Sequence, residues 1–267
     1  MAPFPRRTSV LRQPRLLATL GVLAGFLSGM LGIGGGLVVG PALVAWGVPL
    51  KRATGSALAV VAPVALIGVL TELVLAPQHV HWLAGVWIAA GGQMGAYLGA
   101  RLLTKVPDRS LRWAFTALIL YAAWRNLSGL DASFSSEVFP SGEPTSFYLL
   151  GLGALAGLCT IFFGVGGGVV VVPGLTLFAE GYPITDAMAT SLFAMVFTAA
   201  QGVRLAQKSG RIGWPLVRTL APAALVACVF GVWLREVWAE AQSLSTAFGL
   251  FLLLVALRLN QPALRNS

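Results

Sequence analysis

Charge is what this sequence has least of. Only 10% of its 267 residues are charged, while 57% are hydrophobic. A water-soluble domain carries roughly 25% charged residues. A soluble globular fold is therefore excluded, and the bilayer has to act as solvent for so much apolar surface. Cysteine is nearly absent too. Cys159 and Cys228 both lie inside apolar runs, which excludes a disulfide framework and reads as two small buried hydrophobes. Two histidines without a spaced third ligand make no metal site. No nucleophile, base and acid stand together, so neither a catalytic centre nor a cofactor is expected. Polar connectors are scarce, and the one of any length covers 131–143.

What is present is long apolar runs with basic residues at their edges. The net charge of +9 invites a nucleic-acid reading. The Lys and Arg residues, however, form no patches interleaved with aromatics; they flank the runs, as membrane topology requires, and no nucleic-acid partner is expected. Arg6, Arg7, Arg12 and Arg15 precede the first run like the start of a signal peptide. That run is too long for a signal core and carries no cleavage pattern, so it reads as retained. The uncharged stretches are 16–50, 53–71, 82–100, 113–124 (to 130 if Arg125 snorkels), 144–179, 187–203, 219–234 and 241–257.

The chain repeats itself. Residues 23–41 read LAGFLSGMLGIGGGLVVGP and residues 155–173 read LAGLCTIFFGVGGGVVVVP. Ten of these nineteen positions are identical at a constant offset of 132. ATGSAL at 53–58 matches AMATSL at 187–192, and His81-Trp82 matches Gly213-Trp214. The expected organisation is a cytoplasmic segment 1–15, a first repeat 16–130 opening on a hairpin 16–50, and an external linker 131–143. A second repeat 144–260 then opens on a hairpin 144–182, and a tail 261–267 follows.

A membrane-spanning helix needs about 20 residues. The two longest runs are too long for one span and too short for two with a turn. A hairpin turning inside the membrane at Gly32–Gly36, and again at Gly164–Gly168, fits that length. With each hairpin entering and leaving on one side, 16 of the 18 Lys and Arg residues fall inside, leaving only Arg125 and Arg235 outside. Both termini are then cytoplasmic. The expected fold is an all-α integral membrane protein of two inverted repeats, each a re-entrant hairpin followed by three transmembrane helices.

The second arm of each hairpin begins at its glycine turn, presenting free N–H groups and the positive end of a helix dipole. Two such ends facing each other form an anion site that needs no Lys or Arg. The expected substrate-binding residues are Gly34, Gly35, Gly36, Gly166, Gly167 and Gly168, with hydroxyls from Ser28, Thr160, Ser56, Thr190 and Ser191. Gln93, Arg125, Gln201 and Arg204 are accessory candidates. Glu72, His79 and His81 read as solvated groups at the outer surface, with a proton-coupling role as the alternative. The four-residue spacing of Gly21, Gly25 and Gly29, and of Gly91, Gly95 and Gly99, reads as helix packing. GIGGG lacks the preceding strand and following acid of a dinucleotide-binding turn.

The duplicated glycine segments, ATGSAL with AMATSL, and GAYLGAR at 95–101 resemble the TauE/SafE family of sulfite and organosulfonate exporters. The resemblance covers roughly residues 16–260. It implies a secondary carrier of the cell inner membrane that exports a small anion such as sulfite or a sulfonate. Gly29 and Gly55 are matched by Ile161 and Ala189, which makes the two halves unequal. An anion channel, an importer of another oxyanion, and a non-transporting scaffold subunit stay open as alternatives. The expected partners are the small anion and the lipid bilayer, and the glycine-spaced faces are compatible with a homodimer.

Overall fold

The computed structural model describes residues 14–102, 146–178 and 182–238, together with 120, 123–124, 243, 246–247, 249–250 and 253. The expected last span of each half (113–130 and 241–257) therefore lies largely outside the described residues, as does the linker 131–143. Among the described residues, eight α-helices have defined bounds: α1 (Pro14–Leu31), α2 (Gly36–Ala45), α3 (Leu50–Leu75), α4 (Trp82–Leu102), α5 (Ser146–Phe163), α6 (Gly168–Phe178), α7 (Ile184–Lys208) and α8 (Trp214–Trp238). A short 3-10 turn (Pro77–His79) joins α3 to α4. Among the described residues there is no strand, as an all-α membrane fold requires.

Length and composition make α1, α3, α5, α7 and α8 capable of crossing a membrane. At 1.5 Å per residue the 26 residues of α3 extend about 39 Å. Large apolar side chains such as Val74, Leu83, Met94, Phe147 and Val226 point out of the bundle. In water such a surface would aggregate; against lipid it is the expected exterior.

The duplicated segments fold alike. α1 and α5 both have 18 residues, and each runs into a four-residue glycine turn. A left-handed glycine ends each helix: Gly32 at φ 63° and Gly164 at φ 72°. α2 is also stopped by glycine. Gly47 adopts φ 84°, and the Val48 N–H then donates back to the Leu43 carbonyl at 2.9 Å. This satisfies a carbonyl that the helix end would otherwise leave unpaired.

Glycine also sets how closely the long helices approach. A methyl group at Gly21, Gly25 or Gly29 would run into the backbone of Leu220, Ala224 or Cys228 on α8. Gly91 and Gly95 meet the backbone of Leu150 and Ala154 on α5, while Gly153 and Gly157 meet Ile88 and Gly92 in return. The four-residue spacings thus pack helices, as expected. In each pair the contacts advance together along both helices, so α1 runs parallel to α8 and α4 parallel to α5. Leu58 against Gly202, and Leu192 against Gly68, place α3 and α7 antiparallel at the centre. Two hydrogen bonds tie the halves reciprocally. The Gly213 N–H donates to Ser56 Oγ at 2.9 Å, and the His81 N–H donates to Thr190 Oγ1 at 3.1 Å.

Gly25→Leu and Gly95→Leu are expected to destabilise the protein by about 3 kcal/mol or more, because the obstructing atoms are backbone and cannot yield. Gly151→Leu, with nothing within 4 Å of its added carbon, is expected to stay within about 0.5 kcal/mol of the parent. Thermal melts in detergent, read by size-exclusion fluorescence, distinguish the two cases.

Candidate functional site

The glycine turns do not meet tip to tip; they pass side by side in opposite directions. A methyl group at Gly36 would strike the Gly164 carbonyl, and one at Gly168 would lie 2.5 Å from the Gly32 carbonyl. The start of each turn therefore touches the end of the other. At the crossing, Gly34 (φ 64°) and Gly166 (φ 84°) both lie against Val61 of α3 and Met195 of α7. Only glycine fits there, because the backbone is left-handed and the space is already filled.

This packing leaves backbone donors unused. The Gly32 and Gly164 N–H groups close the last turns of α1 and α5, donating to the Ser28 and Thr160 carbonyls at 2.9 Å. Val38 and Val39 donate to the Gly35 carbonyl at 3.1 and 3.0 Å, and Val170 and Val171 to the Gly167 carbonyl at 3.0 and 3.1 Å. Between these bonds, the amides of 33–37 and 165–169 donate to no backbone carbonyl among the described residues. All ten of these residues are buried. Two unpaired helix N-termini and two strips of loop amides thus lie within one apolar interior, the arrangement that favours an anion.

The expected hydroxyls divide into three sets. Ser28 is fully buried, and its Oγ has no hydrogen-bond partner among the described residues. Thr160, at the matching position, donates to the Ala156 carbonyl at 2.8 Å and would stand 3.1 Å from a side-chain carbon on Gly167. Ser56 and Thr190 are taken up by the ties between halves, and Ser56 also donates to the Arg52 carbonyl at 2.8 Å. Ser191 donates to the Gly32 carbonyl at 2.9 Å and so holds the first turn.

Sequence reasoning missed Thr198. Its hydroxyl donates to the Gly166 carbonyl at 3.0 Å and holds the second turn. Both turns are consequently fastened to α7. On α3 the matching positions are Ala57 and Val64, which carry no hydroxyl. Thr198 lies seven residues after Ser191, two helical turns along one face; that spacing was the available signal.

Three of the accessory candidates fall on described residues. Gln93 Nε2 donates to the Phe197 carbonyl at 3.1 Å, which is helix packing. Gln201 is half-buried on α7 and Arg204 is exposed. Arg125 lies outside the described residues. One expectation is corrected. Glu72 is not a solvated surface group: its side chain is fully buried against Arg235. The reason is electrostatic, since a carboxylate at a helix end facing a buried guanidinium is held by it rather than by water.

Comparison with known proteins points to membrane transporters. A family model described as "Sulfite exporter TauE/SafE" matches residues 2–125 and 149–266. A probable membrane transporter protein of Haemophilus influenzae is 28% identical over 269 residues, covering 91% of this chain and 97% of its own. Probable membrane transporter protein MJ0441 of Methanocaldococcus jannaschii is 26% identical over 194 residues, covering 70% of each chain. A probable membrane transporter protein of Xylella fastidiosa is 29% identical over 184 residues, covering 67% of this chain and 69% of its own. No solved structure matches.

Ser191→Ala and Thr198→Ala each leave one buried carbonyl of a turn without its partner, at an expected cost of about 1–3 kcal/mol. The two hydroxyls serve different turns, so the double variant is expected to be additive within about 0.5 kcal/mol. Denaturant titration in bicelles measures both. A silent single variant would show that the tie carries no weight.

Proposed function

Because the chain belongs to the sulfite exporter TauE/SafE family, a family of membrane transporters, we propose that it is a secondary carrier moving a small oxyanion out across the cell inner membrane. Sulfite or an organosulfonate is the substrate class. The observation that carries this reading is the pair of buried amide strips at the crossing turns, with the orphaned Ser28 hydroxyl beside them. Such a pocket offers hydrogen-bond donors and no side-chain charge. It suits a compact oxyanion, which brings its own charge and several acceptor oxygens.

In this reading each half is a re-entrant hairpin followed by spans, and the second half is inverted relative to the first. The charge pattern supports that orientation, with both termini cytoplasmic. The antiparallel course of α3 and α7 supports it as well. The anion is held by the amides of Gly34, Gly35 and Gly36 from one side and of Gly166, Gly167 and Gly168 from the other. Ser28 and Thr160 add hydroxyl donors, while Ser191 keeps the first turn in place. Non-helical backbone at this depth is tolerated when it lines such a pocket.

Alternating access then requires the two hairpins to move against α3 and α7, exposing the crossing first to one side and then to the other. An inside-negative potential favours outward movement of an anion by about 2.3 kcal/mol per charge per 100 mV. Export on these terms needs neither a nucleotide nor a bound metal.

Sulfite and methanesulfonate efflux from proteoliposomes tests the proposal. The parent protein is expected to release at least one of them faster than empty vesicles. Gly35→Leu and Gly167→Leu are each expected to abolish that flux, and Ser28→Ala to weaken apparent affinity about ten-fold or more, the worth of one hydrogen bond to a charged group. Flux at the empty-vesicle rate for both anions would count against the reading.

A further inference from the structure

One buried cluster of charge plays no part in the proposed anion pocket. Arg235, near the end of α8, has a fully buried side chain, as does Glu72 near the end of α3. The Arg235 guanidinium contacts Glu72 through Nη2. Its Nε donates to Glu236 Oε1 at 3.1 Å, and its Nη1 donates to the Gly29 carbonyl at 3.3 Å. Gly29 lies in the last turn of α1, three residues before the first glycine turn begins. One guanidinium therefore joins α3, α8 and the deep end of the first hairpin.

The connection from α3 to α4 places a histidine against this cluster. His79 Nδ1 lies 3.3 Å from Glu236 Oε2. Ligating atoms of Glu72, His79 and Glu236 all fall within 4.8 Å of one another. The second histidine of the same connection is occupied elsewhere: His81 Nε2 pairs with Asp186 Oδ2 of α7 at 2.8 Å. Among the described residues, then, the charged groups gathered around His79 are Glu72 from α3 and Arg235 and Glu236 from α8.

Counting charge shows what is missing. Two carboxylates face one guanidinium, so with a neutral imidazole the cluster keeps one uncompensated negative charge in a largely dry place. Such a charge is costly unless it is paired. A single added positive charge balances it. A divalent metal would overshoot, and Arg235 already occupies an oxygen of each carboxylate. A proton on His79 supplies the right charge at the right distance, and imidazole is the side chain that changes charge between about pH 5 and 8.

We infer that His79, Glu236, Arg235 and Glu72 form a proton-binding site that links the first hairpin to the proton concentration on the outer side of the membrane. When His79 takes up a proton, Glu236 turns its charge toward the imidazolium and loosens its hold on Arg235. The guanidinium then settles on Glu72 and lets go of the Gly29 carbonyl, freeing the deep end of α1. The site is one-sided. At the offsets that relate the halves, Glu72 is matched by Ala206, Arg235 by Leu103 and Gly29 by Ile161. What the freed hairpin accomplishes rests on the transport reading above: proton uptake from outside would accompany anion release to the outside, making the carrier a proton–anion exchanger. Both movements run with an inside-negative potential.

Two native cysteines report on the hinge. Cys228 lies where α8 meets Gly29, with its Sγ on the Val64 carbonyl at 3.5 Å, while Cys159 is buried on α5. N-ethylmaleimide labelling of the full chain in liposomes, with the outer solution taken from about pH 8 to 5, compares the two. The Cys228 to Cys159 rate ratio, which cancels the intrinsic pH dependence of thiol chemistry, is expected to rise roughly five-fold or more, the low end of ordinary site coupling. His79→Gln and Glu236→Gln should each flatten the response, and His81→Gln should preserve it. A flat ratio in the parent, or a response that survives both variants, overturns the inference. So does a response removed by chelator and restored by Zn²⁺, which would mark a metal site. Methanesulfonate efflux measured in parallel separates the two claims. Labelling that responds without any flux leaves the proton site standing and removes the transport reading. Flux that ignores external pH, with a flat ratio, does the reverse.

Discussion

A bilayer offers no water to an unpaired backbone amide, and the rest of this structure depends on how the chain meets that constraint. Two helices are cut short inside the protein by glycine turns, leaving donors with no carbonyl to serve. Lipid cannot satisfy them. The chain answers by laying the turns against each other and enclosing both with α3 and α7. Glycine is required because a side chain at Gly36 or Gly168 would hit the opposite turn's backbone, and one at Gly34 or Gly166 would hit Met195 and Val61. What remains is a buried strip of donors on each side of one contact, the feature on which the proposed anion site rests.

Around this centre the halves are related but not equal. The reciprocal bonds from Gly213 to Ser56 and from His81 to Thr190 show how closely they mirror one another. The fastening of the turns breaks the symmetry, since Ser191 and Thr198 both belong to α7. The cluster on Arg235 breaks it again, gripping the first hairpin alone among the described residues. A transporter must distinguish its two sides in order to have a direction. Both hairpins are thus fastened to α7, and the first is held in addition by a buried guanidinium.

Much of this was legible in the sequence. The constant offset of 132 located both glycine turns, because a duplicated helix breaker leaves a duplicated break. The stripes at Gly21, Gly25 and Gly29, and at Gly91 and Gly95, announced close helix pairs, although not that each would pair with a helix of the other half. Side-chain partnership was harder to read. Ser56 and Thr190 looked like spare donors because their acceptor role depends on loop amides more than 100 residues away. Glu72 looked solvated because its partner, Arg235, is 163 positions distant, and a lone acid at a span's end is ordinarily wet. Thr198 passed unnoticed because only the fold places the Gly166 carbonyl beside it.

Hydrogen–deuterium exchange of the turn amides in lipid nanodiscs, with and without sulfite or methanesulfonate, tests the central claim most directly. If the two strips hold one anion together, the amides of 33–37 and 165–169 slow in concert as either ligand saturates, with a single midpoint. Exchange that stays unchanged with both anions, or protection confined to one turn, would contradict a shared pocket.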